Sequence, residues 1–323
     1  MNLYKTLMTD IVLAADLGGT NLRIAAVGRD GTILERSKIA TPRDSKPDRL
    51  FSALVEIAND CLKKCEKVNL TAIAIAVPAT VDACKGILLD APNLPELNGF
   101  GIVSALEEEM NVKVFLENDA NAAAIGESWL GATKNFEDSI MVTLGTGVGG
   151  GIIIDGKILR GPDGTAGEIG HINVEPCGHP CGCGSHGCLE QYSSATAVVR
   201  MANELAAENP DSKLAGVDKL TSKHVYQLGL ESDEDALAVF KKQGFYLGLA
   251  LSGLINSLNP EAIVFGGGAA AAWDLFMPEL LEQIGKRTYL TPAERVKLFR
   301  SELGDDAGIL GAAHLGFENV DHN

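Results

Sequence analysis

Four residues with soft or borderline donor atoms lie close together in the chain, His171 at the end of GEIGH (167–171) and Cys181, Cys183 and Cys188 within CGCGSHGCLE (181–190). One imidazole and three thiolates complete a tetrahedral Zn²⁺ site. Glycines between the donors let the chain wrap tightly. Four protein ligands leave no open position for water, which points to a structural ion rather than a Lewis acid. Cys177, His179 and His186 share the stretch, and spacing alone leaves them open as substitutes. A reactive-thiol pair is the competing reading. Seven cysteines, four of them between 177 and 188, fit a metal site better than a disulfide framework. Cys61 and Cys65 stand one helical turn apart in an amphipathic stretch and read as ordinary core or surface residues. Cys84 carries no signal.

A second group of residues suits anion binding. IVLAADLGGTNLRIAAVGRDGTILER from Ile11 and IMVTLGTGVGGGIIIDGKILRG from Ile140 share one pattern: an apolar run, a Gly/Thr turn, a second apolar run, then a D-G turn. These are the signals of consecutive β-hairpins, and their repetition suggests a duplication. Gly145-x-Gly147-x-x-Gly150 matches the dinucleotide fingerprint formally, but that loop opens a helix, whereas the following GIIID is β-branched and ends at a turn. Gly151-IIID-Gly156-Lys157 lacks the hydroxyl of a P-loop, because Ile158 occupies its place. Two glycine-rich tips facing one another, with backbone N–H groups and a Thr hydroxyl on each, could instead hold a polyphosphate.

The elements that position these residues follow the same signals. Leu50 to Lys67 has helical periodicity, Leu70 to Val77 and Val112 to Leu116 read as strands, and Ala120 to Leu130 has a helix-forming composition. Asp119 therefore sits at a strand-to-helix junction, where α/β folds expose chemistry. Simple helix capping is its alternative role. Phe240 to Ser257 reads as a long apolar helix and Ala262 to Phe265 as a strand, followed by Gly266-Gly267-Gly268, which permits close approach of a flat ligand; a plain loop is its alternative.

At 323 residues the chain exceeds the size of a single core, so two packed lobes are expected. The net charge of −16 opposes nucleic-acid binding. Ile11 to Ala15 is too short for a signal-peptide core, and no apolar run is long enough to span a bilayer. A soluble cytoplasmic protein is expected.

Taken together, DLGGTN (16–21), ENDANAA (117–123), TLGTGVGGG (143–151) and GEIGH followed by CGCGSHGCLE resemble the ROK family of sugar kinases and repressors over nearly the whole chain. The resemblance implies the actin-like ATPase fold (duplicated, ribonuclease H-like α/β), with two lobes around a cleft. Residues 1–118, completed by 300–323, would form a small lobe, and 119–299 a large lobe with a zinc-binding insert at 167–190. It implies Asp119 as catalytic base, and Asn93, Asn118, Asp119, Glu168, His171 and Glu190 at the sugar hydroxyls. Asp16, Gly18, Gly19, Thr20, Asn21, Gly145, Thr146, Gly147, Gly267 and Gly268 would serve the nucleotide, with Asp16 meeting the hydrated Mg²⁺ that accompanies ATP.

The implied reaction is phosphoryl transfer from ATP to a hexose. The partners would be hexose and ATP, with neither nucleic acid nor membrane, and the assembly a homo-oligomer, dimer or tetramer. Ala91-Pro92-Asn93-Leu94 resembles the glucokinase-type segment, which favours glucose over N-acetylmannosamine. Mannose, fructose, allose and N-acetylhexosamines stay open as acceptors, and polyphosphate as donor. In Val77-Pro78-Ala79-Thr80-Val81-Asp82, Ala79 stands where the family often has glycine, which would bring a methyl near the sugar. ROK repressors carry a winged-helix domain before the first glycine hairpin, whereas fifteen residues precede Asp16 here. With the acidic charge, an enzyme rather than a DNA-binding regulator is therefore expected, and the retained Asp119 argues against a silent sugar sensor.

Overall fold

The computed structural model describes residues 8–42, 47–82, 85–91 and 94–321. Asn93 and Cys84 lie outside the described residues. The chain divides into two compact units, one of 1–135, 151–166 and 302–323, the other of 136–150 and 167–301.

The first unit is built on a five-stranded sheet. Strands β1 (Thr9–Leu17), β2 (Asn21–Gly28) and β3 (Ile33–Ala40) form consecutive antiparallel hairpins; β4 (Val68–Val77) pairs parallel with β1, β5 (Thr80–Asp82) and β6 (Ile87–Asp90) form a separate ribbon, and β7 (Lys113–Asn118) pairs parallel with β4. The order is β3-β2-β1-β4-β7. Alternation along β1 feeds two cores: Ile11, Leu13, Ala15 and Leu17 join one cluster, Val12 and Ala14 the other. The first cluster takes Leu50, Leu54, Ile57, Ala58 and Cys61 from the helix Pro47–Lys63. The second takes Ala122 from the helix Asp119–Trp129 and Ile309, Ala312, Ala313 and Phe317 from the helix Ala307–Asp321.

Those last two helices meet backbone to backbone. A Cβ on Gly126 would lie 2.2 Å from the Ala307 carbonyl oxygen, and one on Gly311 only 1.7 Å from that of Ala122. This close fit is why the helix Asp119–Trp129 belongs to the first unit, although division at 118/119 assigns it to the second. Residues 151–166 likewise fall with the first unit: a Cβ on Gly151 would meet the Ala124 methyl at 2.6 Å.

The second sheet contains β8 (Ser139–Leu144), β9 (Val148–Ile154), β10 (Lys157–Ile158), β11 (Ala262–Gly266) and β12 (Lys297–Arg300), in the order β10-β9-β8-β11-β12. β9 begins in the second unit and ends in the first. In each sheet the first strand is central, the next two lie in order on one side, and two strands parallel to it lie on the other. The duplicated sequence pattern thus has a duplicated topology.

In the second unit the helix Glu234–Leu258 starts a turn and a half before the apolar pattern does. Asp233 caps it, its Oδ1 accepting from Ala236 N at 3.0 Å, and Asn259 ends it in the left-handed region at φ 52°. Gly244 and Gly248 let the helix Trp273–Arg287 pack closely: a Cβ on Gly244 would lie 2.2 Å from the Phe276 carbonyl oxygen.

Candidate functional site

The tip between β1 and β2 is closed by Gly18 N donating to Asn21 O at 3.0 Å, and Thr41 braces it, its Oγ1 donating to Gly18 O at 2.6 Å. Asp16, Gly18, Gly19, Thr20 and Asn21 gather on one cavity of about 380 Å³, together with Arg23, Lys38 and Asp305. Arg23 and Lys38 are absent from the residues predicted above. Their signal is the hairpin register: Asp16 pairs with Arg23, and Arg23 with Lys38, so the three form one cross-strand row. Arg23 donates to Asp16 Oδ2 through Nε at 3.0 Å and also through Nη2. An incoming cation at Asp16 must share or displace that guanidinium.

The corresponding tip between β8 and β9 has the same construction. Gly145 N donates to Gly147 O at 2.9 Å, and Thr196 Oγ1 braces the turn by donating to Thr146 O at 2.8 Å. A Cβ on Gly145 would meet nothing within 4 Å, whereas one on Gly147 would lie 2.2 Å from Glu190 Oε2. Gly267 is required by the backbone itself, with φ 84° and a Cβ position 2.5 Å from Leu144 O; Gly268 faces open space.

Asp119 occupies the first turn of its helix. The cap is Asn118, whose Oδ1 accepts from Ala120 N at 2.9 Å and Asn121 N at 3.0 Å while its Nδ2 donates to Ala79 O at 3.3 Å. The capping role open to Asp119 thus falls on its neighbour, although Asp119 Oδ1 also accepts from Ala120 N at 2.8 Å. These contacts commit much of the Asn118 side chain to the helix terminus. Ala79 is 5 % exposed and packs into the first core cluster.

In the second unit the donor atoms of His171, Cys181, Cys183 and Cys188 all lie within 4.8 Å of one another. Cys183 Sγ is 3.7 Å from Cys188 Sγ, and Cys181 Sγ is 3.6 Å from His171 Nδ1. Zn–S bonds of about 2.3 Å and a Zn–N bond of about 2.0 Å at tetrahedral angles give edges of roughly 3.8 and 3.5 Å, so the four residues fit Zn²⁺. A disulfide would need about 2.05 Å. His179 lies outside the cluster, its Nε2 2.7 Å from Arg200 Nη1, and neither Cys177 nor His186 joins the four donors.

Glu168, three residues before His171, has its carboxyl held above the usual range by burial, with His171 opposing the rise and the nearby Glu190 carboxylate adding to it. His171 N donates to Glu168 O at 3.1 Å and Leu189 N to Ile172 O at 2.9 Å, which brings the segments of Glu168, His171 and Glu190 together. Glu190 also accepts from Val148 N at 3.1 Å, and Ala195 N donates to Gly145 O at 2.8 Å. The second glycine turn therefore rests on the segment that follows Cys188.

The ROK family description matches residues 12–318. The chain is 37% identical over 313 residues to the glucokinase of Halalkalibacterium halodurans, covering 94% of each. The crystal structure of a ROK hexokinase from Thermus thermophilus superposes with a TM-score of 0.83 at 32% identity, over 97% of this chain and 100% of that one. A ROK family transcriptional regulator, a homolog of the E. coli MLC protein, gives a TM-score of 0.88 at 28% identity, over 98% of this chain and 80% of that one. The fold defined by these matches and by the duplicated sheets is the actin-like ATPase fold. The chain belongs to the ROK family.

Proposed function

We propose that this protein is a cytoplasmic ATP-dependent hexose kinase whose first substrate is glucose, converted to glucose 6-phosphate. The observation that carries this reading is the pair of glycine turns with one construction, each closed by a glycine N–H and braced by a later threonine. Exposed backbone amides on turns of this kind suit the oxygens of a polyphosphate. The Arg23 and Lys38 side chains on the first turn's cavity offset the Asp16 and Asp305 carboxylates there. Family membership and a glucokinase relative at 37% identity support the kinase and glucose assignments.

Asp119 would accept the proton of the attacking hydroxyl, at the N-terminal end of a helix capped by Asn118. Glu168, His171, Glu190, Asn118 and Asn93 would bind the other hydroxyls. Because His171 Nδ1 faces Cys181, its Nε2 is the nitrogen left for sugar. Mg²⁺ arriving with ATP would neutralise charge on the phosphates. Zn²⁺ on His171, Cys181, Cys183 and Cys188 would hold the carboxylate-bearing segments in place and supply no reaction step.

A coupled assay of ADP release across glucose, mannose, fructose, allose and N-acetylhexosamines tests the proposal. Glucose is expected to give the highest kcat/KM. The similarity to a ROK regulator favours one other reading, a sugar sensor, which would bind a hexose in calorimetry and release no ADP with any of them.

A further inference from the structure

Glu117 directly precedes Asn118 and Asp119, and at 1 % exposure it is a buried carboxylate at the end of β7. Both of its oxygens are engaged. Oε1 accepts from Asn118 N and from Asn121 Nδ2, each at 3.0 Å, and Oε2 accepts from Arg160 Nε at 2.8 Å and Nη2 at 2.6 Å. One carboxylate thus ties together the last residue of the strand, the first turn of the helix that begins with Asp119, and an arginine 43 positions away in sequence. An apolar side chain would fill a buried strand end at less desolvation cost, because a charge taken out of water must be fully paired to be tolerated. Two guanidinium N–H groups converging on one carboxylate oxygen add fixed direction as well as charge.

We propose that Glu117 and Arg160 form a positioning pair that fixes the orientation of Asp119. The inference rests on the reading of Asp119 as the base. Asn118 and Asn121 flank Asp119 by one and two residues, and Glu117 holds both, so Asp119 cannot rotate about the junction while Arg160 keeps Glu117 in place. A misplacement of roughly 1 Å at a reacting group costs on the order of 10²-fold in rate. Arg160 also lines a cavity of about 900 Å³ in the first unit, bordered by Phe115, Leu116, Trp129 and His314, and its side chain is 36% exposed. A small guanidinium ion can therefore reach the space that the side chain would vacate.

The test is steady-state kinetics of Arg160→Ala, Arg160→Lys, Glu117→Gln, the Arg160→Ala/Glu117→Gln double variant and Asp119→Asn, with thermal melts of each. Arg160→Ala and Glu117→Gln are expected to lower kcat by about 10- to 100-fold while the KM values for sugar and ATP move less than about threefold. The double variant should cost no more than the worse single, and millimolar methylguanidinium should restore kcat to Arg160→Ala but not to Asp119→Asn. Arg160→Lys keeps the charge without the fork, and should fold and fall between native and Arg160→Ala. Full kcat in folded Arg160→Ala or Arg160→Lys, multiplicative losses in the double variant, or an effect on KM alone would each overturn the pair. Asp119→Asn separates the two readings: if it loses activity while Arg160→Ala keeps it, the pair fails and the base stands; if Asp119→Asn itself keeps native kcat, the base assignment fails.

Discussion

Substituting Cys183 by Ser, or stripping the metal with a strong chelator, should disable sugar phosphorylation through contacts that never involve ATP directly. Cys183 and Cys188 form one edge of the donor tetrahedron at 3.7 Å, and Cys188 is fully buried two residues before Glu190. His171 stands three residues after Glu168 at another corner. Releasing one corner loosens both carboxylates. Each hydrogen bond to a charged group contributes about 1.5–3 kcal/mol, so two lost sugar contacts amount to about 3–6 kcal/mol, a fall of roughly 10²- to 10⁴-fold in sugar affinity.

The second glycine turn is held by the same segment, through Glu190 to Val148 N at 3.1 Å and Ala195 N to Gly145 O at 2.8 Å. Nucleotide affinity should therefore fall as well, by roughly 10- to 150-fold for one such contact. The first turn is braced by Thr41 and should persist. Calorimetric titration of glucose and of a non-hydrolysable ATP analogue against zinc-loaded, chelated and Cys183→Ser protein measures both terms, with circular dichroism to establish folding. Unchanged sugar affinity in folded, metal-free protein would refute the link between metal and sugar site. Unchanged nucleotide affinity beside lost sugar affinity would refute the link through Glu190.

Asp119→Asn should lower kcat by about 10²–10⁴-fold with sugar affinity by calorimetry nearly unchanged, since the amide keeps the shape and loses the proton acceptor. Near-native kcat would remove the base assignment. Gly145→Ala should melt like the native protein, because its Cβ meets nothing within 4 Å, yet raise KM for ATP if that open side receives phosphate; Gly147→Ala, with its Cβ 2.2 Å from Glu190 Oε2, should lower the melting temperature and raise KM for sugar too. In alkylation followed by mass spectrometry at pH 8, exposed Cys177 should react at once, and Cys61 should stay unmodified, because burial pushes its thiol up to about 11. Exposed Cys183 should be protected until a chelator is added, so prompt labelling of zinc-loaded protein would count against its role as a ligand.

Much of this protein is decided by short-range pattern. The four metal donors fall in one glycine-rich stretch, so residue type and spacing identify the set, and proximity in space only had to exclude Cys177, His179 and His186. Hairpin signals repeated in both halves determine which strands are neighbours, and the same register carries Arg23 and Lys38 to Asp16, a consequence readable only once the pairing is known. The strand-to-helix junction at Asp119 follows from local composition, whereas the assignment of its cap to Asn118 depends on side-chain geometry.

Tertiary structure alone decided the rest, because the partners lie far apart in the chain and no periodicity links them. The Asp119–Trp129 helix joins the first unit through glycine contacts with the Ala307–Asp321 helix. Arg160 reaches Glu117 across 43 positions and Glu190 reaches Val148 across 42. Each of these joins a charge to a buried or backbone group, and such a pairing is fixed by where the packed elements leave room for it, which one-dimensional spacing does not encode.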